Sequence, residues 1–284
     1  MFEFFANIFG YALNFIYNIF NNYGIAIIIF TIILKALMIP MNIKQQKTMK
    51  KSAKIQVKSR EIQEKYSNDP TRMNQELMDL YKSENMSPFS GCLSSIIQMV
   101  VIISIFFLVS RPLTFMRNID ADTINKYTEE ITQEGERRNY IEIAIIKEKG
   151  AEDSRVNLNM DFLGLDLSDI PVENLSNWTV YIIPVLYVIT SFISMKITNK
   201  LNGLDKKEEN KGNNEENNKL IKKDDDQKEQ IAMNEMNKSM MYMMPIMSVS
   251  ISMVAPLGLA LYWFVSNILM IIERVITSKF IKEE

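Results

Sequence analysis

Histidine is absent from this chain, and cysteine occurs once, at Cys92. The two absences exclude a Cys/His zinc site, a Cys-His nucleophile pair, a Ser-His-Asp triad and an intramolecular disulfide. A Gly-rich phosphate loop of the GxxxxGK[ST] kind is also missing. Carboxylates are nearly confined to segments between apolar runs, where a solvated, self-repelling surface is their ordinary role. Little is left from which to build an enzyme, and neither a metal nor a cofactor is expected.

What the chain has is apolar sequence in long runs. Hydrophobic residues make up 47% of its 284 residues, and the formal net charge is -2. These averages hide segregation. Apolar runs occupy about 25–41, 92–110, 178–195, 239–255 and 257–272. Runs of ~17–25 residues match a hydrocarbon core of ~30 Å at 1.5 Å per residue, whereas strands of soluble proteins are ~5–6 residues long. The expected fold is an all-α integral membrane protein with five transmembrane helices, a cytoplasmic helical hairpin and an N-terminal interfacial helix.

Charge orients the chain. Segment 42–90 carries ten Lys/Arg against six acids, concentrated near the first run, which places it in the cytoplasm by the positive-inside rule. Alternation puts 111–177, with eight Lys/Arg and fourteen acids, outside and 199–238 inside. The expected order is an outer-face amphipathic helix (1–22), spans at 23–41, 91–110, 178–198, 239–256 and 257–276, and a cytoplasmic tail (277–284). The N-terminus is then outside and the C-terminus inside a bacterial plasma membrane.

The N-terminal stretch has no basic n-region and no small-residue cleavage site, so it does not read as a signal peptide. Asn7, Asn14, Asn18 and Asn21 recur at helical spacing opposite Phe5, Phe9, Ala12, Ile16 and Phe20. That pattern predicts a helix lying in the interface, with a sixth span as the alternative.

Between the first two runs, a basic helix from Lys44 to Tyr66 carries Lys44, Lys47, Lys50, Lys51 and Lys54 and a thin apolar stripe. SNDP then supplies a turn, with Asp69 as N-cap and Pro70 at the first helical position. Met73, Leu77, Leu80 and Tyr81 line one face of the next helix. The resulting hairpin is either a docking device or a surface element that folds on itself and touches anionic lipid. Segment 199–238 is low-complexity and charged in both signs, and reads as a disordered tether. The run 239–256 is rich in Met and Ser and short for a bilayer, at ~1.5 Å per residue.

One charge interrupts the first run, IAIIIFTIILKALMIP: Lys35. A lysine at a helix centre costs ~2.5–3.5 kcal/mol on insertion scales, so such residues face a wet cavity or a partner. Snorkelling towards the inner interface is the plainer reading. The nearest acid within reach of the other runs is Glu273, at the inner end of the fifth.

FTIILKALMIPMNIKQQKTMKK, IQEKYSNDPTRMNQELMDLYKSENMSPFSGCLSSIIQM, FLGLDLSDI and APLGLALYWFVSNILMIIERVI, in this order, closely resemble the YidC/Oxa membrane protein insertases. The resemblance covers about 23–110 and 160–276 and is to the short form found in Gram-positive bacteria. It implies a hydrophilic groove open to the cytoplasm and to lipid and closed to the outside. Lys35 matches the groove's basic position, usually arginine. Thr31 and Trp263 match groove-lining positions, and Gln98 a further polar one. Nascent membrane proteins are then the clients and lipids the surroundings. The Sec translocon and the ribosome are the machines it could work beside, and no nucleic-acid site is evident. Acidic residues of a client would be drawn to Lys35, its apolar helix leaving beside the first and fifth spans without nucleotide hydrolysis.

This chain departs from the family at Ser94 and Val100, where proline is common, and in a longer 117–157. Lysine at 35 also lacks the forked, always-ionised guanidinium. A secondary transporter using the buried lysine would show paired repeats and intramembrane carboxylate relays, and neither is visible. A structural assembly scaffold would account for the hairpin and tether but not for Lys35.

Overall fold

The computed structural model describes residues 2–84, 90–132, 138–201, 247 and 250–280, with the backbone alone at 49–50, 52–54, 56, 90–95, 199, 201 and 279–280. Its helices are α1 (Phe2–Phe20), α2 (Tyr23–Lys65), α3 (Pro70–Ser83), α4 (Ser90–Ser110), α5 (Pro112–Phe115), α6 (Ala121–Ile131), α7 (Ile141–Lys149), α8 (Ile182–Leu201) and α9 (Leu257–Phe280). Among the described residues, three stretches are long and apolar enough to cross a membrane: Tyr23–Thr48, Trp178–Thr198 and Leu257–Ser278; Ile96–Ser110 is a shorter apolar helix. Most of the expected fourth span (239–256), nearly all of the 199–238 tether and the last four residues of the tail lie outside the described residues.

The chain forms two compact units. The first comprises Met1–Met38, Ile97–Ser191 and Met247–Met270; the second comprises Ile39–Ile96, Phe192–Ile246 and Ile271–Glu284. In the first unit, α1 packs through Ala6, Gly10, Leu13, Ile16 and Tyr17. A Cβ on Gly10 would overlap the Phe115 carbonyl of α5, so only glycine permits this approach. The face expected from the asparagines is therefore displaced. Asn7 and Asn14 are half-buried and Ala12 is exposed, because close backbone contact selects small residues at 6 and 10. Phe4, Ile8, Tyr11, Phe15 and Ile19 form a separate exposed stripe.

The segment between α4 and α8 caps one end of this unit. α5 and α7 are joined by the buried Glu142, which accepts from Thr114 N at 2.9 Å and Thr114 Oγ1 at 2.6 Å. Ile143, Ile145 and Ile146 of α7 are buried beside it. Asp120 caps α6 by accepting from Thr123 N at 2.8 Å. Strands β1 (Asp161–Phe162) and β2 (Leu165–Asp166) pair antiparallel, a two-residue ladder within the all-α architecture that was expected. The turn between them is made by Leu163 and Gly164, both at positive φ. Their root is tied to the starts of two spans. Tyr23 N donates to Asn159 O at 3.0 Å, Leu257 N to Asp169 O at 2.9 Å and Gly258 N to Leu167 O at 3.0 Å. α2 and α9 thus begin at the same end of the unit, under the cap.

Contact order gives the helix directions. Tyr187 and Trp263 meet with ring centroids 5.8 Å apart. Four residues further along each helix, Asn267 Nδ2 donates to Ser191 Oγ at 2.7 Å. α8 and α9 therefore run parallel.

In the second unit, α2 continues without a break through Pro40 to Lys65. Asn42 Nδ2 donates to Glu273 Oε2 at 3.0 Å, and Thr277 Oγ1 to Gln46 Oε1 at 2.6 Å, again four residues on along both helices. The SNDP turn forms as its residues dictate: Asp69 accepts from Arg72 N at 3.0 Å, with Pro70 opening α3. Lys58 pairs with Glu84 at 2.6 Å, and Tyr66 OH reaches Glu76 at 3.3 Å. Those contacts run eight residues forward on α2 and eight back towards α3's start, so the two stretches are antiparallel.

Candidate functional site

The site the sequence points to begins on α2. Tyr23, Ala26, Ile27, Phe30 and Thr31 are buried along one arc of the helix. Ile32, Ile33 and Leu37 are exposed on the other, at 46%, 48% and 73%. Lys35 lies one turn beyond Thr31, at the edge of the packed arc, and is half-buried. It is engaged by a neighbour, between the packed side of α2 and the exposed aliphatic side.

Thr31 is 0% exposed, and its Oγ1 donates to Ile27 O at 2.6 Å. The hydroxyl is spent within its own helix, the usual way for a threonine to satisfy itself in an apolar span. That placement differs from the one expected of a residue lining open water. Trp263 is half-buried and stacks, tilted by 32°, on Tyr187 of α8. It packs against the same core as Leu34, the residue preceding Lys35. Gln98 is half-buried on α4. The structure thus gathers Thr31, Leu34 and Trp263 around one core in the first unit, with Lys35 at the border of the α2 face that enters it.

The second unit places the proposed docking residues unequally. Lys44 and Lys47 are exposed and Lys51 is half-buried, while the side chains of Lys50 and Lys54 lie outside the described residues. Met73 is 5% exposed, with Leu77 and Tyr81 half-buried. Ile55 of α2, at 2% exposed, is buried in the same unit.

Sequence reasoning missed three polar pairs in the spans: Asn267–Ser191, Asn42–Glu273 and Thr277–Gln46. Their signal was available, since a carboxamide or hydroxyl in an apolar helix must find a partner. It also missed Glu142, an acid with its charge in a buried place; burial holds its pKa above the ordinary glutamate value, against the hydrogen bonds from Thr114.

A family model described as the 60Kd inner membrane protein matches residues 15–284. The chain belongs to the YidC/Oxa family. As a YidC/Oxa protein it is an integral membrane protein of the bacterial plasma membrane, and the matched range includes the long 117–157 stretch. A protein of Geotalea daltonii named "Membrane protein insertase YidC" is 27% identical over 268 residues, 94% of this chain and 36% of that protein. One of the same name from Fusobacterium nucleatum is 25% identical over 254 residues, 89% of this chain and 85% of that protein. Another, from Syntrophus aciditrophicus, is 47% identical over 95 residues, 34% of this chain and 18% of that protein. The YidC/Oxa chain described here therefore spans about a third or less of the Geotalea and Syntrophus relatives and most of the Fusobacterium one.

Proposed function

We propose that the chain is a membrane protein insertase and chaperone. It inserts and helps fold membrane proteins through a hydrated groove open to the cytoplasm and to lipid, without nucleotide hydrolysis. The observation that carries the reading is Lys35, half-buried at the edge of the packed face of the span Tyr23–Thr48, in a chain matched to this family over 15–284. Charge in that place is costly, and its return is attraction for acidic residues of a client crossing beside it. Trp263 and Gln98 meet the client in the same groove, with Thr31 behind them.

The reading has five spans, an outer interfacial α1 with its stripe of Phe4, Ile8, Tyr11, Phe15 and Ile19 against lipid, the N-terminus outside and the C-terminus inside. A fourth span at 239–256 is supported by the parallel course of α8 and α9, which calls for a return crossing between them. The antiparallel pair formed by the end of α2 and α3 is the cytoplasmic hairpin. Its exposed Lys44 and Lys47 suit anionic lipid, a ribosome or the Sec translocon. The client's apolar helix leaves beside α2 and α9 without parting them, because Asn42–Glu273 and Thr277–Gln46 join the two helices.

Proteoliposomes containing the purified chain and a small single-span client with an acidic outer segment test this. Lys35→Arg is expected to keep insertion, Lys35→Ala to slow it and Lys35→Glu to slow it most for the acidic client. Full insertion by both Lys35→Ala and Lys35→Glu would sink the electrostatic part. Absence of insertion by the unaltered chain, with solute flux in its place, would replace the insertase with a transporter.

A further inference from the structure

The cap carries exposed apolar side chains that the groove does not use. Leu163, at the tip of the β1–β2 turn, is 87% exposed. Leu175 and Trp178, in the approach to α8, are 70% and 73% exposed, with Val172 at 42%. Leu163 is doubly out of place in water. Its φ is +56°, a region that glycine or a short polar residue such as asparagine occupies at least cost. A leucine there combines backbone strain with an exposed hydrocarbon.

The height of the β1–β2 turn along α2 and α9 is fixed by hydrogen bonds. Asn22 Nδ2 donates to Asp161 O at 2.7 Å, and Tyr23 N to Asn159 O at 3.0 Å. Gly258 N donates to Leu167 O, also at 3.0 Å. Phe162 packs where a Cβ on Gly24 would be, so the strand root sits directly on the α2 backbone. Tyr23, Leu257 and Trp178 are the first residues of the three candidate spans. The turn therefore sits at the points where α2 and α9 begin, and Leu175 and Trp178 sit where the third apolar helix begins.

We infer that Leu163, Leu175 and Trp178 enter the headgroup region of the outer leaflet and seat the cap on the lipid surface. Continuity with the spans names lipid as the occupant: Trp178 itself opens one of them, and aromatic residues collect at this depth. The contact is apolar rather than electrostatic. Asp161 and Asp166 flank the tip, and segment 111–177 holds fourteen acids against eight basic residues, so anionic headgroups gain nothing from it. Strain at Leu163 is then kept because leucine, unlike asparagine, has hydrocarbon to give to the bilayer. The inference rests on the spans, and its choice of the outer leaflet on the orientation proposed above, but not on insertase activity.

The chain's two tryptophans make this measurable, since Trp263→Phe leaves Trp178 alone. A second probe is Leu163→Trp in a Trp178→Phe, Trp263→Phe background. Both are reconstituted as full chains in phosphatidylcholine vesicles brominated at shallow or deep acyl positions, with iodide on both sides. Both probes are expected to lose most of their fluorescence to shallow bromines, less to deep ones, and to be shielded from iodide. Adding phosphatidylglycerol is expected to leave the pattern unchanged. Where Leu163→Trp does not fold, a nitroxide on Leu163→Cys in a Cys92→Ser background reads the same depth from its accessibility to oxygen against a nickel chelate. Iodide-accessible probes untouched by bromolipid would overturn the inference, as would shielding from both quenchers, which signifies a protein partner or second copy. Quenching at Trp178 alone would overturn it too, by leaving the tip in water.

Discussion

Asn42 of α2 donates to the carboxylate of Glu273 on α9 at 3.0 Å. Glu273 is the one acid that the sequence set near the spans, and its bond to Asn42 makes it part of a helix-helix joint. One turn on, Thr277 donates to Gln46 at 2.6 Å and extends the joint. Two polar bonds in register fix both the neighbour and the direction of α9 relative to α2.

Replacing Asn42 by leucine is expected to destabilise the protein by about 1 kcal/mol, since interhelical hydrogen bonds in membranes average ~0.6 and reach ~1.7 kcal/mol. Glu273→Gln should cost less than Asn42→Leu, because it retains an acceptor oxygen for the Asn42 amide. Unfolding of the full chain in nanodiscs measures both. A cost for Glu273→Gln exceeding that of Asn42→Leu would show that charge, not the hydrogen bond, holds the joint.

Two glycines test how closely the first unit is packed. A Cβ on Gly10 would meet the backbone carbonyl of Phe115, and one on Gly24 would meet Phe162 from its Cβ outward. Neither a carbonyl nor a Cβ can turn aside without its backbone. Gly10→Ala and Gly24→Ala are therefore each expected to cost the ~1–3 kcal/mol typical of overpacking. Thermal unfolding of the two variants measures both, and midpoints equal to the parent's would show that the neighbouring backbone gives way freely.

Much of this was legible in the residues, and the divisions are physical. Long apolar runs announce spans because hydrocarbon demands them, and Asp69-Pro70 announces the start of α3 because cap and ring act locally. The strands Asp161–Phe162 and Leu165–Asp166 were not legible, since two residues carry no periodicity. The face of α1 is not legible because Gly10 answers to a distant carbonyl, not to polarity along the helix. Continuity through Pro40 was equally hidden, for a proline marks a weakened turn and the neighbouring helices decide whether it breaks. At the site, Lys35 could be found from charge alone. The burial of Thr31 and the Tyr187 ring beside Trp263 depend on which helices meet.

Glu142 gives the cap a pH dependence. Burial raises its pKa above the ordinary value, while Thr114 N and Oγ1 donate to it. The folded state thus binds this proton more tightly than the unfolded chain does. Stability should fall as pH rises from about 4.3, the usual glutamate value, through the raised folded value, and be regained on acidification. Glu142→Gln should flatten that portion of the profile and lose little at neutral pH. Glu142→Ala should cost about 1–3 kcal/mol throughout by leaving the Thr114 donors unmet. A profile identical in the parent and in Glu142→Gln would assign the titration to another group.

The parallel pairing of α8 and α9 separates packing from client contact at Trp263. Asn267 donates to Ser191 at 2.7 Å one turn below the Tyr187–Trp263 stack. Asn267→Leu and Ser191→Ala should each cost up to ~1.7 kcal/mol, and the double variant should cost no more than the worse single one. Trp263→Phe keeps a ring for Tyr187, so its effect on stability should stay within the ~0.5–1.5 kcal/mol that an aromatic pair contributes. A residue that only packs would change insertion in proportion to stability. One that also meets the client should slow insertion by Trp263→Phe well beyond what Asn267→Leu does at equal or greater loss of stability. Insertion rate plotted against unfolding midpoint for these variants decides it: Trp263→Phe lying on the line drawn by Asn267→Leu and Ser191→Ala makes Trp263 a packing residue.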